Sequence, residues 1–97
     1  MSRSDNEETL GSAITRLLKA YGLEEGYYAA AVVTHWEKMM GPAIARRTQS
    51  IKIEKGVLIV KIESAPLRQE LSYSKDKIMT TINNELGVPI IKSVELR

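Results

Sequence analysis

The chain has 97 residues, of which 43% are hydrophobic and 27% are charged, and its formal net charge is +2 at pH 7. This length suits a single domain with a small core, and the composition is that of a folded globular domain. The sequence contains no cysteine, which excludes a disulfide framework, a thiolate zinc site and a cysteine nucleophile.

Positive charge is concentrated in the second part of the chain. Residues 1–40 carry four Lys or Arg against six Asp or Glu, whereas residues 41–97 carry ten against six. This surplus is compatible with a polyanionic partner, although a solvated surface of mixed charge is the commoner case.

The start of the chain lacks the features of a targeting segment. Residues 1–8 are polar and acidic, and the longest apolar run, residues 27–33, is too short to span a bilayer. We therefore expect a cytoplasmic protein with no membrane partner. Residues 1–8 are predicted to be disordered, and residues 9–97 to form one domain.

Two helices are predicted first. Apolar residues recur at helical spacing from Leu10 to Tyr21, which predicts an amphipathic helix over about residues 9–21. A second helix is predicted over about residues 24–40, ended by a Gly-Pro pair. Trp36 lies on its apolar stripe, so core packing is favoured over base stacking. Residues 43–47 are predicted to form a short turn of at most one helical turn.

A β-hairpin is predicted over about residues 50–63. Apolar and polar residues alternate in both arms, and Lys55-Gly56 supplies the turn. One face then packs on the core. The other face carries Lys52 and Lys61 together with Ile59, which indicates that this face is partly covered or used for contact.

One long helix is predicted from Ser64-Ala-Pro66 to Gly87, followed by a last strand over about residues 90–96. The order is therefore α-α-β-β-α-β. The elements predict an α+β domain of two layers, in which a three-stranded sheet packs against helices.

Catalytic constellations are not visible in the sequence. His35 is the single histidine. Neighbouring residues of a helix point about 100° apart, so no side chain beside His35 in the sequence converges with it on one catalytic site. Serines and carboxylates are scattered, without a nucleophile elbow. We predict a protein that is not an enzyme and that has no cofactor or metal.

The candidate functional residues are basic side chains around the hairpin and the following helix. Six are predicted to contact phosphates: Arg46, Arg47, Lys52, Lys61, Arg68 and Lys75. Arg68 and Lys75 fall seven residues apart, on one face of the predicted long helix. Lys52 and Lys61 lie on the sheet and could belong to a different surface. Tyr73 could stack on an unpaired base, although a half-buried tyrosine beside the core is the commoner arrangement.

Several short motifs occur in a defined order along the chain. They are Trp36-Glu-Lys-Met-Met-Gly41-Pro, then Ile44-Ala45 and Thr48, then Gly56-Val-Leu58-Ile-Val60, then Ser64-Ala-Pro-Leu-Arg68-Gln-Glu70-Leu71-Ser-Tyr73-Ser-Lys75, and finally Ile82-Asn83, Leu86-Gly87 and Ile91. With these motifs the chain resembles the short, single-domain version of the DciA family of bacterial proteins, formerly a domain of unknown function. The resemblance covers nearly the whole chain.

The resemblance implies a KH-like fold and a role in DNA replication. Members of this family act with the replicative helicase, help to load it, and bind single-stranded or fork DNA through basic residues. Many relatives carry a long flexible tail after this domain, whereas this chain ends at the last strand. The GxxG loop of true KH domains is also missing, so their four-nucleotide clamp does not transfer.

The sequence is also compatible with two other functions. KH-like domains often bind RNA, so an RNA-binding module is one alternative. The other is a protein-interaction domain without nucleic-acid binding, which would use an apolar surface that includes Ile59.

Overall fold

The computed structural model describes residues 9–97, and the disorder predicted for residues 1–8 lies outside the described residues. The described elements are α1 (Leu10–Ala20), α2 (Glu24–Met40), α3 (Pro42–Arg47), β1 (Thr48–Glu54), β2 (Val57–Ile62), α4 (Ala65–Ser72), α5 (Lys75–Leu86) and β3 (Ser93–Leu96). Within this part of the chain, no helix has the length and apolar character needed to cross a membrane.

The sheet has three strands in the order β1-β2-β3, with β1 antiparallel and β3 parallel to the central β2. Lys55 and Gly56 form the hairpin turn, and both have positive φ, 51° and 81°. Positive φ at both positions is what a two-residue type I′ turn requires. The predicted hairpin is therefore confirmed, and its turn fixes the register that places Ile53 opposite Leu58.

One face of the sheet carries the core. Buried side chains come from α2, all three strands, α4, α5 and the segment before β3: Tyr28, Val32, Trp36, Ile53, Leu58, Val60, Ile62, Leu71, Ile78, Ile82, Ile91 and Val94. The α+β class and the three-stranded sheet packed against helices are therefore confirmed, and Trp36 is a core residue as predicted.

Two predictions about element boundaries are wrong. Residues 42–47 form the six-residue helix α3, which is longer than the short turn or single helical turn predicted for residues 43–47. Pro42 occupies its first helical position, where its missing N–H costs nothing. The predicted long helix is broken between α4 and α5. At the break the Ser72 hydroxyl donates to the Gln69 carbonyl, which competes with the helical backbone bonds. The observed order is α-α-α-β-β-α-α-β.

The return from α5 to β3 is held by one amide side chain. Asn83 Nδ2 donates to the Ile91 carbonyl at 2.9 Å, and the Ile91 N–H donates to Asn83 Oδ1 at 2.9 Å. This double contact pairs both backbone groups of Ile91 just before the strand. It holds the chain just before β3, which pairs with β2 in the parallel direction.

Candidate nucleic-acid interface

Several element ends meet at one end of the domain. Helix α3 runs directly into β1 at Thr48, which pairs with Ile62 at the end of β2. Because β3 is parallel to β2, its last residues lie at this same end, and α4 leaves from here. We call this region the basic end and define it by Arg46, Arg47, Lys61, Arg68 and Arg97.

Hydrogen bonds around the last residues of β2 hold three of these arginines. The Ile62 N–H donates to the Arg97 carbonyl at 2.7 Å, and the Glu63 N–H donates to the Arg47 carbonyl at 2.8 Å. Arg68 Nη1 donates to the Ile62 carbonyl at 2.7 Å. The backbones of Arg47 and Arg97 and the guanidinium of Arg68 are thus fixed around two successive residues.

The side chain of Arg68 has a structural role that the sequence did not reveal. It is half-buried, and one of its guanidinium nitrogens is occupied by the Ile62 carbonyl. The other four members of the basic end are exposed. Charge reversal at Arg68 would therefore lower the stability of the domain as well as remove any phosphate contact, so binding is better tested at the exposed members.

Replacing Arg68 with methionine is expected to lower the free energy of unfolding by about 1–2 kcal/mol, because the Ile62 carbonyl loses a charged donor. Methionine keeps an unbranched apolar stem, so packing changes little. Urea denaturation followed by far-UV circular dichroism measures the effect. Arg46→Met is the matched control, since Arg46 is exposed, and it should stay within about 0.5 kcal/mol of the parent. Equal stability of the two variants would contradict the structural role.

Two hydrogen bonds through Trp36 and Thr48 fix helix α3, which carries two arginines. Trp36 Nε1 donates to Thr48 Oγ1 at 2.9 Å, and Thr48 Oγ1 donates to the Ile44 carbonyl at 2.7 Å. These bonds connect α2, α3 and the first residue of β1. They set the direction in which the last turn of α3, with Arg46 and Arg47, leaves the core.

Lys52 and Lys61 lie on the sheet face opposite the core, which we call the open face. Lys52 pairs with Ile59, and Lys61 pairs with Ser50 on the neighbouring strand. Lys52 and Lys61 are therefore diagonal neighbours on adjacent strands. Such neighbours lie about 7–8 Å apart, within reach of long side chains. Lys61 belongs to both the open face and the basic end, whereas Lys52 lies nearer the middle of β1.

Ile59 offers little apolar surface for contact. Ile59 lies on the open face but is buried, outside the main core cluster. Its cross-strand neighbours are Lys52 and Glu95. The expectation that this face is partly covered is confirmed. Ile59 is therefore a poor centre for an apolar contact, and the protein-interaction alternative stays a prediction.

Lys75 and Tyr73 lie at the junction between α4 and α5. The break between these helices removes the continuous face predicted to align Arg68 with Lys75. Both Tyr73 and Lys75 are exposed, and the Tyr73 hydroxyl accepts a bond from Gln69 Nε2 at 2.6 Å. The prediction that Tyr73 is half-buried is therefore wrong. Stacking of its exposed ring on a base stays a prediction.

Arg97 is the member of this region that the sequence reasoning missed. Its Nε contacts a carboxylate oxygen of Glu95, and its backbone pairs with β2. A signal was present, since a parallel last strand must end beside the end of β2. Glu63 and Glu95 each lie two residues from a member of the basic end in the sequence. The surplus of positive charge at the basic end is therefore modest.

His35 belongs to a surface contact between α2 and α5. Its Nδ1 lies 4.0 Å from Glu85 Oε1, which is also 3.6 Å from Lys38 Nζ. Among the described residues there is no group of three His, Cys, Asp or Glu side chains that could hold a metal ion. This arrangement is that of a helix-packing histidine beside an exposed ion pair.

A comparison with protein families gives one match. The family model described as "Dna[CI] antecedent, DciA" matches residues 9–96, which is nearly the whole chain. No curated protein and no solved structure matches the sequence. The match includes α1, the α4–α5 junction and every member of the basic end except Arg97.

Proposed function

This chain belongs to the DciA family, which is associated with helicase loading in bacterial replication, and we propose that it is a non-enzymatic adaptor that binds single-stranded or fork DNA and acts with the replicative helicase. The helicase role rests on the family. The DNA-binding role also rests on one structural observation, the grouping of five basic residues around the end of β2. A cytoplasmic location follows from this function.

The geometry of the basic end suits a phosphate backbone better than a base-reading site. Its members come from α3, β2, α4 and the residue after β3, and four of the five are exposed. Arginine and lysine contacts to phosphates position a nucleic acid without reading its sequence. We therefore propose sequence-independent binding, with Tyr73 as a stacking residue beside the strand.

Binding is proposed to be weak and dependent on salt. With one arginine partly used by Ile62 and acidic neighbours close by, about three or four phosphates are neutralised at once. Because binding to single strands releases about 0.7 counterion per phosphate, the log–log slope of affinity against salt should be roughly −2 to −3.

Fluorescence anisotropy with a labelled oligothymidine over a series of salt concentrations measures this slope. A slope in that range supports the proposal, and binding that is absent at low salt or indifferent to salt contradicts it. A matched oligouridine in the same buffer tests the RNA alternative, because only RNA offers the 2′-hydroxyl. Markedly tighter binding to RNA would assign the chain to that alternative.

The helicase part of the proposal is tested separately. Immobilised chain should retain purified replicative helicase, with and without nuclease treatment. Retention that depends entirely on nucleic acid would contradict a direct adaptor role. Retention that survives nuclease, together with no DNA binding in the anisotropy assay, would leave only a protein-interaction function.

A further inference from the structure

Helix α1 exposes its apolar side to solvent. Its apolar stripe consists of Leu10, Ile14 and Leu17 together with Tyr21 just after the helix, and these residues are 78%, 39%, 55% and 75% exposed. No residue of α1 is buried. We call these four residues the α1 stripe.

The polar side of α1 faces its own domain, and Ile14 at the edge of the apolar side also borders a cleft with Tyr27 and Val88. Thr15 Oγ1 lies 3.4 Å from the Tyr28 hydroxyl, and Thr15 and Lys19 line a cleft with Tyr28 and Val88. An amphipathic surface helix normally packs the opposite way, with its apolar side on the core. The orientation of α1 therefore leaves a contiguous apolar surface uncovered, as at a protein interface.

The α1 stripe is self-complementary. Its residues are spaced four, three and four apart, which is the spacing of a helix–helix seam and reads the same in both directions. When a second α1 packs against it in the antiparallel direction, Leu10 lies opposite Tyr21 and Ile14 lies opposite Leu17. In this pairing each large side chain of one stripe faces a large side chain of the other.

The residues that flank the stripe carry no charge. They are Gly11, Ala13, Leu18 and Ala20, and in the same antiparallel pairing Gly11 faces Ala20 while Ala13 faces Leu18. The two cations of α1, Arg16 and Lys19, lie at helical positions away from the stripe. Two copies therefore approach without repulsion between like charges, and antiparallel packing also places opposite ends of the helix dipoles together.

We propose that the α1 stripe is the contact between two copies of this chain, which pair through antiparallel α1 helices about a two-fold axis. An isologous interface uses the same patch on both copies, which is the symmetry that the spacing of the stripe provides. Helix α1 lies beside the hairpin turn, Val88 and the start of α2, away from the basic end. Pairing therefore leaves both basic ends free.

Sedimentation velocity of the full chain over a wide range of concentration tests the pairing. The expected mass approaches twice the 10.9 kDa of one chain as the concentration rises. Leu17→Glu should raise the dimer dissociation constant by roughly tenfold or more, because it buries a carboxylate in an apolar contact. Val33→Glu is the matched control, since Val33 is an exposed apolar residue on α2 outside the stripe, and it should dimerise like the parent.

Engineered cysteines test the direction of pairing without depending on the glutamate variants. The sequence contains no cysteine, so each introduced thiol reports alone. A mixture of Leu10→Cys and Tyr21→Cys chains should form disulfide-linked dimers readily, and either variant by itself should form few. Equal cross-linking by Leu10→Cys alone would overturn the antiparallel arrangement.

A mass of one chain at every concentration would overturn the proposal. Dimers of Leu17→Glu as stable as those of the parent would overturn it too. Far-UV circular dichroism shows whether each variant is folded, and folding is expected because the stripe contributes nothing to the core.

Discussion

Replacing Trp36 with alanine is expected to lower the free energy of unfolding by about 3–5 kcal/mol, which is the usual cost of removing a buried aromatic ring of this size. Trp36 is buried at the centre of the contact between α2 and β1, and its ring N–H is paired with Thr48. Small domains have total stabilities of about 5–15 kcal/mol, so much of this protein should be unfolded at room temperature in mild denaturant. Urea denaturation followed by far-UV circular dichroism measures the change, since the variant has no tryptophan to report by fluorescence.

Two milder variants separate the packing of the ring from its hydrogen bond. Trp36→Phe keeps an aromatic ring but removes the donor, and Thr48→Val removes the acceptor and the bond to Ile44. Each should cost about 1–3 kcal/mol, and the double variant should cost less than the sum because both act on one chain of bonds. Val33→Ala on the same helix is the control, with a change within about 0.5 kcal/mol. A change of less than 1 kcal/mol in Trp36→Ala would contradict the assignment of Trp36 to the core.

Reversing the charge of Arg46 and Arg47 together is expected to weaken binding to single-stranded DNA by at least about 25-fold at 0.1 M salt. The figure follows from losing two phosphate contacts, each worth about 0.7 released counterion, and the salt slope should become shallower by about 1.4. Both side chains are exposed at the end of α3, and the bond from Glu63 uses the Arg47 backbone, so the fold should persist. Anisotropy titration and a thermal melt on the same samples measure both properties.

A control variant with the same change in net charge separates a local site from a general attraction. Lys19→Glu with Lys55→Glu makes the same change at the last turn of α1 and at the hairpin turn, both away from Arg46 and Arg47. Screening acts over about 10 Å at this salt, so affinity should fall by no more than about threefold. Equal losses of affinity in the two double variants would show that DNA binding depends only on net charge. An unchanged affinity of the Arg46 and Arg47 variant would place the site elsewhere.

The local pattern of the sequence was enough to locate most elements. Apolar residues at helical spacing predicted α1 and α2, and alternation around Lys55-Gly56 predicted the hairpin, because these signals depend on neighbours a few residues apart. The split between α4 and α5 was missed, since Leu67, Leu71 and Ile78 would also align on one unbroken helix. The Ser72 hydroxyl bond that competes with the helix there is visible only in three dimensions.

The grouping of charges and the exposure of α1 were decided by tertiary structure alone. Arg97 joins the basic end because β3 is parallel to β2, and Arg68 turns inward because the Ile62 carbonyl lies within reach. The stripe from Leu10 to Tyr21 predicts an amphipathic helix, but a periodic pattern does not determine which surface packs against the apolar side of that helix. The sequence by itself thus determined the elements and their apolar sides. Which sides meet depends on contacts between residues far apart in the chain, and only the folded arrangement provides them.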